Sequence, residues 1–249
     1  MTKSWLLGAV CALALSPAAA LDLGQMTEAE EQAFGEAVRQ YLLDNPDVLM
    51  EAIAVLEERE ALAQAEAEKV LITSSAAELF EDEGSYVGGN PEGDVTIVEF
   101  LDYKCGFCRR AHPEVTDLIE TDGDIRIIVK ELPILGEESL LASRFAISVL
   151  QTEGPDAYKT VNDTLLTMRG AITPASLERI ATNAGLDAET ILAGMDSDAV
   201  TDVIRRNQAL AQKLAINGTP SFVFDDRLIR GYLPLGDMLT LVDTIRAEG

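Results

Sequence analysis

The sequence predicts an α/β domain with a long helical insertion, preceded by an N-terminal α-helical extension. Three observations predict it. Two mostly apolar runs of strand length, Val95–Leu101 and residues 125–129, have the make-up of buried central strands. Between residues 137 and 216 almost every segment reads as helix. Two short apolar segments, Ser221–Phe224 and residues 228–230, then flank Asp225-Asp226 as a hairpin.

Residues 1–20 read as a secretion signal. Lys3 supplies the positive end, an apolar stretch runs from Trp5 to Leu15, Ser16-Pro17 breaks it, and Ala18-Ala19-Ala20 meets the small-residue cleavage rule. The stretch is too short for a bilayer span, which takes about 20 apolar residues. A lipoprotein reading through Cys11 is disfavoured, because Val10 before it is not small and the site comes very early. Export is therefore expected.

Residues 21–83 form the extension. Thr27-Glu28-Ala29-Glu30 is a capping box, and Phe34, Val38, Tyr41 and Leu42 share one face of the helix that follows. Asp44-Asn45-Pro46 ends that helix. A second runs over residues 47–72, with Leu49, Ile53 and Leu56 at coiled-coil spacing before the seam falls on Glu60, Ala63 and Ala67. Helices with so little bulk do not build a core of their own. Their apolar stripe packs on the main domain or on copies of the chain, and self-association through residues 27–72 is the preferred reading.

Residues 84–93, rich in glycine, are expected as a linker, and the main domain then occupies residues 94–249. A helix is expected over 108–121 with Pro113 inside it, where the missing N–H should kink it. Within the insertion, about 137–216, Thr173-Pro174 and Asp187 are start signals, Gly154 and Gly185 are stops, and Ser197 caps a long helix to 216. A helix over 235–247 closes the chain.

The 249 residues carry a net charge of −24, and 47% are apolar. Such a surface suits a folded protein and argues against nucleic acid and anionic lipid, both of which attract cations.

The chemistry centres on Cys105-Gly106-Phe107-Cys108. A strand running into a Cys-x-x-Cys at the mouth of a helix is the layout of a thiol–disulfide site, because the helix N-terminus favours a thiolate on the first cysteine. The chain has three cysteines, and the signal peptide takes Cys11. The remaining pair closes a trivial loop and makes no disulfide scaffold, so chemistry explains it better than stability. Half of a zinc site would need a second such pair or two histidines, and the chain has one His. A Cys–His hydrolase lacks an orienting third group. No metal or cofactor is expected. His112, four residues after Cys108, reads as a flanking residue, with thiolate stabilisation as the other reading. Lys130 reads as a solvated strand end, with an ion pair to a buried acid as the alternative.

From about residue 94 to 248 these residues resemble the DsbA-like branch of the thioredoxin-fold disulfide oxidoreductases. The resemblance rests on the Cys-Gly-Phe-Cys motif after a strand, on Glu99 six residues before Cys105, on Pro113 five residues after Cys108, and on Thr219-Pro220. It implies a thioredoxin-like fold with a DsbA-type helical insertion. It further implies that Cys105 is an exposed nucleophile, Cys108 resolves the mixed disulfide, and Glu99 is a buried proton acceptor for Cys108. Thr219-Pro220 would be a cis-proline loop that, with Gly106 and Phe107, binds an extended peptide. Tyr41-Leu42-Leu43-Asp44-Asn45-Pro46 and the Ala/Glu helix after it resemble the oligomerisation arm of the ScsC and Com1-like subgroup.

The Gly-Phe pair, and Thr before the proline, look more like the disulfide isomerases than the dedicated oxidases. An isomerase or reductase is therefore expected, with a DsbA-type oxidase as the alternative. The implied partners are unfolded or misoxidised exported proteins and a membrane redox protein, either a DsbD- or ScsB-like reductant or a DsbB-like oxidant. Two further classes stay open: a thiol protein holding Cu(I), though no Met- or His-rich tract accompanies the pair, and a structural envelope protein.

Overall fold

The computed structural model describes residues 26–248, so the expected secretion signal and Cys11 lie outside the described residues. The chain divides into two compact units, residues 1–59 and 60–249.

In the first unit, α1 (Glu28–Asp44) begins at the capping box: Glu30 N–H reaches the Thr27 hydroxyl and the Glu30 carboxylate accepts from Thr27 N–H. The Asn45 N–H closes it on the Tyr41 carbonyl. Pro46 precedes α2 (Asp47–Ser74), which runs two residues past the expected end and continues into the second unit. No side chain of residues 27–59 is buried, and Phe34, Val38, Tyr41, Leu49, Ile53 and Leu56 are all exposed.

The second unit takes the last turns of α2, then α3 (Ala76–Phe80) and β1 (Tyr86–Gly89). The expected linker therefore contains a strand. Gly-rich sequence carries little strand signal of its own, and pairing with a neighbour supplies the order. Gly89 has φ +68, and a Cβ there would lie 2.3 Å from the Ile125 carbonyl oxygen, so only glycine fits this close approach. Next come β2 (Val95–Leu101), α4 (Gly106–Asp122) and β3 (Ile125–Glu131). The helical insertion is α5 (Glu137–Glu153), α6 (Pro155–Thr167), α7 (Pro174–Asn183), α8 (Ala188–Gly194) and α9 (Asp198–Lys213), the last capped by Ser197. The hairpin β4 (Ser221–Phe224) and β5 (Arg227–Arg230) and the helix α10 (Leu235–Glu248) complete it.

The strands form one sheet in the order β1-β3-β2-β4-β5, with β2 and β3 parallel and every other pair antiparallel. Strand parity then divides the core. Val95, Ile97 and Leu101 of β2, Ile125, Ile127 and Val129 of β3, and Phe222 and Phe224 of β4 enter one cluster, with α4, α5, α6 and α10. Val98, Phe100, Ile128 and Val223 enter the other, with Ile72, Leu79, Leu210 and Leu214. Both faces are covered, which is why the central strands read as nearly continuous apolar runs.

Strand β3 ends at Lys130-Glu131 as expected but buries both residues. Lys130 is therefore not a solvated strand end. It is 1% exposed, and its Nζ donates to the Asp82 carboxylate at 2.8 Å. Nor does it pair with Glu99, because Lys130 is in register with Phe100 and so lies on the opposite face of the sheet. Burial lowers the Lys130 pKa, which Asp82 opposes; burial raises Asp82, and Lys130 together with hydrogen bonds from Ser85 and the Gly84 N–H more than offsets it.

Candidate active site

Strand β2 ends at Leu101, and Asp102-Tyr103-Lys104 turns the chain into α4. Asp102 ties this turn down. Its carboxylate accepts from Lys104 N–H at 2.8 Å and from Ile134 and Leu135 N–H at 2.8 and 3.0 Å, joining the turn to the segment after β3. Lys104 Nζ donates to Glu138 at 2.9 Å, and the same carboxylate oxygen accepts from Ile172 N–H. Arg109 donates to the Tyr103 and Met168 carbonyls, both at 2.9 Å. The turn is thus latched to the helical insertion at several points.

Cys105 occupies the N-cap of α4 in an extended conformation, φ −72 and ψ 119, with no side-chain cap. Helix α4 starts at Gly106, so Cys108 lies in its first turn and Pro113 within its span. Cys105 Sγ donates to the Thr219 carbonyl at 3.0 Å, and the Thr219–Pro220 peptide bond is cis. The loop around Thr219 covers the sulfur, leaving Cys105 7% exposed rather than open as expected. The open surface at this point belongs to Gly106 and to Phe107, which is 59% exposed. The Phe107 ring centroid lies 6.4 Å from that of Tyr232, whose ring carries the Arg110 guanidinium at 4.5 Å. Tyr232 Oη donates to Glu114, which also accepts from Leu235 N–H at 2.7 Å, so the chain entering α10 is bound to α4.

Cys108 is 1% exposed. Burial pushes its thiol far above the ordinary range, and Glu99 and Cys105 act in the same direction. The structure brings Glu99 onto the face of the sheet that packs against α4. It is 5% exposed, and burial, with the nearby Glu131 adding to it, raises its carboxyl to about 8. Among the described residues no hydrogen-bond donor reaches that carboxyl. It lines instead a cavity of about 80 Å³ whose wall includes Tyr86, His112, Val115, Asn162 and Asp163. His112 lies with its Nε2 3.3 Å from Asp163 of α6; burial lowers its pKa, and Asp163 opposes that. The charge His112 meets is on the helical insertion, which gives no support to its alternative role at a thiolate.

Sequence reading missed Glu131. Its Oε1 accepts from Tyr103 Oη at 2.7 Å and Tyr158 Oη at 2.6 Å, and its Oε2 from Ser143 Oγ at 2.8 Å. Asn162 Oδ1 accepts from Tyr103 Oη at 3.0 Å. Burial raises the Glu131 carboxyl to about 7, while the three hydroxyls hold it down. One signal was available: with Ile125, Ile127 and Val129 facing inward, parity places Glu131 inward as well.

The arrangement is a pair of free thiols in unequal settings. One sulfur stands at a helix N-terminus beside a backbone carbonyl and the exposed Phe107. The other is sealed beneath it next to a buried carboxyl. Such a pair can form, break and exchange disulfides.

Comparison with known proteins agrees. The family model described as Thioredoxin matches residues 81–244, well over half of the chain, and that described as the copper resistance protein ScsC N-terminal domain matches residues 30–63. A thioredoxin-like oxidoreductase from Silicibacter pomeroyi is 42% identical in sequence and superposes with a TM-score of 0.65, covering 69% of this chain and 97% of its own. ScsC of Proteus mirabilis, in a transitional conformation, is 28% identical over 91% of this chain and 99% of its own, with a TM-score of 0.65. Disulfide bond formation protein D of Bacillus subtilis is 26% identical over 175 residues, 66% of this chain and 77% of its own. The chain also aligns at 28% identity with the Na(+)/H(+) antiporter NhaA of Herminiimonas arsenicoxydans, of whose length it spans 24%. This chain therefore belongs to the thioredoxin family, as a DsbA- and ScsC-like thiol–disulfide oxidoreductase whose thioredoxin-like domain carries a helical insertion.

Proposed function

We propose that the chain is an exported enzyme of the periplasm that isomerises or reduces disulfides in other exported proteins, with Cys105 as nucleophile and Cys108 as resolving thiol. The observation that carries this reading is the asymmetry of the pair. Cys105 caps α4 beside Thr219 and Phe107, whereas Cys108 is sealed and its thiol is held protonated.

The Cys105 thiolate attacks one sulfur of a substrate disulfide. A mixed disulfide forms and the other substrate sulfur leaves as a thiolate. In isomerisation that thiolate attacks a different substrate disulfide and displaces another substrate thiolate, which attacks the mixed disulfide and expels the Cys105 thiolate with no net oxidation. In reduction, Cys108 gives its proton to Glu99 and attacks Cys105 Sγ. The substrate leaves with both sulfurs reduced, the two electrons having come from the Cys105–Cys108 pair, and a membrane reductant of the DsbD or ScsB type restores it. Thr219 offers its backbone to an extended peptide, and Gly106 and Phe107 supply contact surface that makes little demand on substrate sequence.

The exposed apolar stripe of α1 and α2 supports a homo-oligomer formed through residues 27–72, and residues 1–20 support secretion. Oxidation is the second reading, favoured by the similarity to disulfide bond formation protein D; a membrane oxidant of the DsbB type would then be the partner. Binding of Cu(I) by the reduced pair would be a side property.

The test is reactivation of scrambled ribonuclease by pre-reduced protein, with Cys105→Ala as control. Reactivation that disappears in the control is the expected result. No reactivation by protein whose two thiols titrate as reduced would contradict the isomerase reading and favour the oxidase.

A further inference from the structure

We infer that Glu131 is a positioning residue for thiol exchange: its carboxylate, fixed on the same face of the sheet as Glu99, makes Glu99 a strong enough base to take the Cys108 proton. This rests on the reading of Glu99 as the proton acceptor.

The geometry sets the two acids apart. In the parallel pairing Glu99 is in register with Val129 and Leu101 with Glu131, so the two carboxyls occupy neighbouring positions on one face. Both are buried, Glu131 at 2% exposed. Glu131 accepts hydrogen bonds from three hydroxyls, those of Tyr103, Tyr158 and Ser143, and a carboxylate with several donors favours its charged form. Glu99 accepts none among the described residues. Two such acids this close do not both ionise readily. The negative charge therefore rests on Glu131 and the proton on Glu99.

The surroundings keep this bias. Facing the acids are His112, Glu120 and Cys108 from α4, Tyr158, Lys159 and Asp163 from α6, Tyr86 from β1, and Asp102 from the turn. Lys159 and His112 both meet Asp163, at 2.8 and 3.3 Å. The buried Lys130 is committed to Asp82 on the opposite face and neutralises neither acid.

The consequence is kinetic. When Cys108 attacks the mixed disulfide it must lose its proton, and a sealed thiol gives it up reluctantly. The closer the acceptor's basicity comes to that of the thiolate, the less uphill the transfer. Glu131 raises that basicity without touching sulfur.

The experiment measures the rate at which Cys108 resolves a preformed mixed disulfide between Cys105 and a model peptide thiol, as a function of pH. The variants are Glu131→Gln, Glu131→Asp and Glu99→Gln in the full chain. In the wild type the rate rises with pH as Glu99 ionises. Glu131→Gln is expected to move that rise to lower pH by roughly one unit and to lower the plateau, while Glu131→Asp retains the wild-type position. Glu99→Gln is expected to abolish the inflection near pH 8, leaving only the steady rise from direct ionisation of the Cys108 thiol. A folded Glu131→Gln protein with an unmoved rise overturns the inference while leaving Glu99 as the acceptor. An inflection near pH 8 that survives Glu99→Gln overturns both. Should Glu131→Gln not fold, infrared spectroscopy of the wild type near pH 8, where Glu131 is ionised and Glu99 titrates, decides. A protonated buried-carboxyl band lost in Glu99→Gln supports the inference, and one that survives there puts the proton on Glu131 and overturns it.

Discussion

Two sulfurs three residues apart differ because one caps a helix and the other is enclosed by it. Cys105 has a backbone carbonyl at 3.0 Å and the exposed Phe107 beside it. Cys108 has apolar packing and Glu99. The raised carboxyl of Glu99 also makes a prediction about stability. Its pKa goes up on folding, so the folded chain binds the proton more tightly than the unfolded one. The resulting stabilisation is fully present below the unfolded carboxyl range and is lost as pH rises toward about 8. A shift of this size amounts to about 5 kcal/mol at ~1.4 kcal/mol per unit. Urea unfolding of the reduced protein at pH 6 and pH 9 is expected to show a marked loss of stability at the higher pH, smaller in Glu99→Gln. Equal pH dependence in the two proteins would contradict the assignment. At this scale the cysteines, Glu99 and Thr219-Pro220 were legible, because their types and spacing carry chemistry. Asp102, Asp82 and Glu131 were not: an acidic residue at a strand end or turn reads as solvated until the elements that cover it are known.

Elements with strong periodicity or clear caps fell where the sequence placed them, notably β2, the Thr27 and Ser197 caps and the β4–β5 hairpin. Strand β1 did not, since Tyr86-Val87-Gly88-Gly89 owes its extended form to β3. The same limit applied to the end of β3, where Lys130 is buried because Asp82, some fifty residues earlier in the chain, reaches it. Helices α1 and α2 pose the opposite case: their pattern is plain and their apolar stripe is exposed. Sedimentation of the full chain is expected to show an oligomer, and Ile53→Glu with Leu56→Glu to reduce it to the monomer while leaving thiol content unchanged. A wild-type monomer, or an oligomer indifferent to both substitutions, would contradict that role for the stripe.

For the molecule as a whole, one sheet positions the residues that the proposed exchange reaction uses. Strand β2 carries Glu99 and delivers the chain to Cys105, β4 begins just after Pro220, and β3 brings Glu131 beside Glu99. The helical insertion closes over the acids through Ser143 and Tyr158 and grips the redox turn through Glu138 and the Met168 carbonyl. The class of chemistry was readable from a handful of residues; the burial that tunes it is a property of the assembled domain. The most direct measurement traps the intermediate. Reduced Cys108→Ala protein is mixed with scrambled ribonuclease, and the product is mapped by mass spectrometry. The account predicts a stable mixed disulfide to ribonuclease at Cys105, and none with Cys105→Ala. Capture through Cys108 in the Cys105→Ala protein, or no adduct with Cys108→Ala, would contradict it.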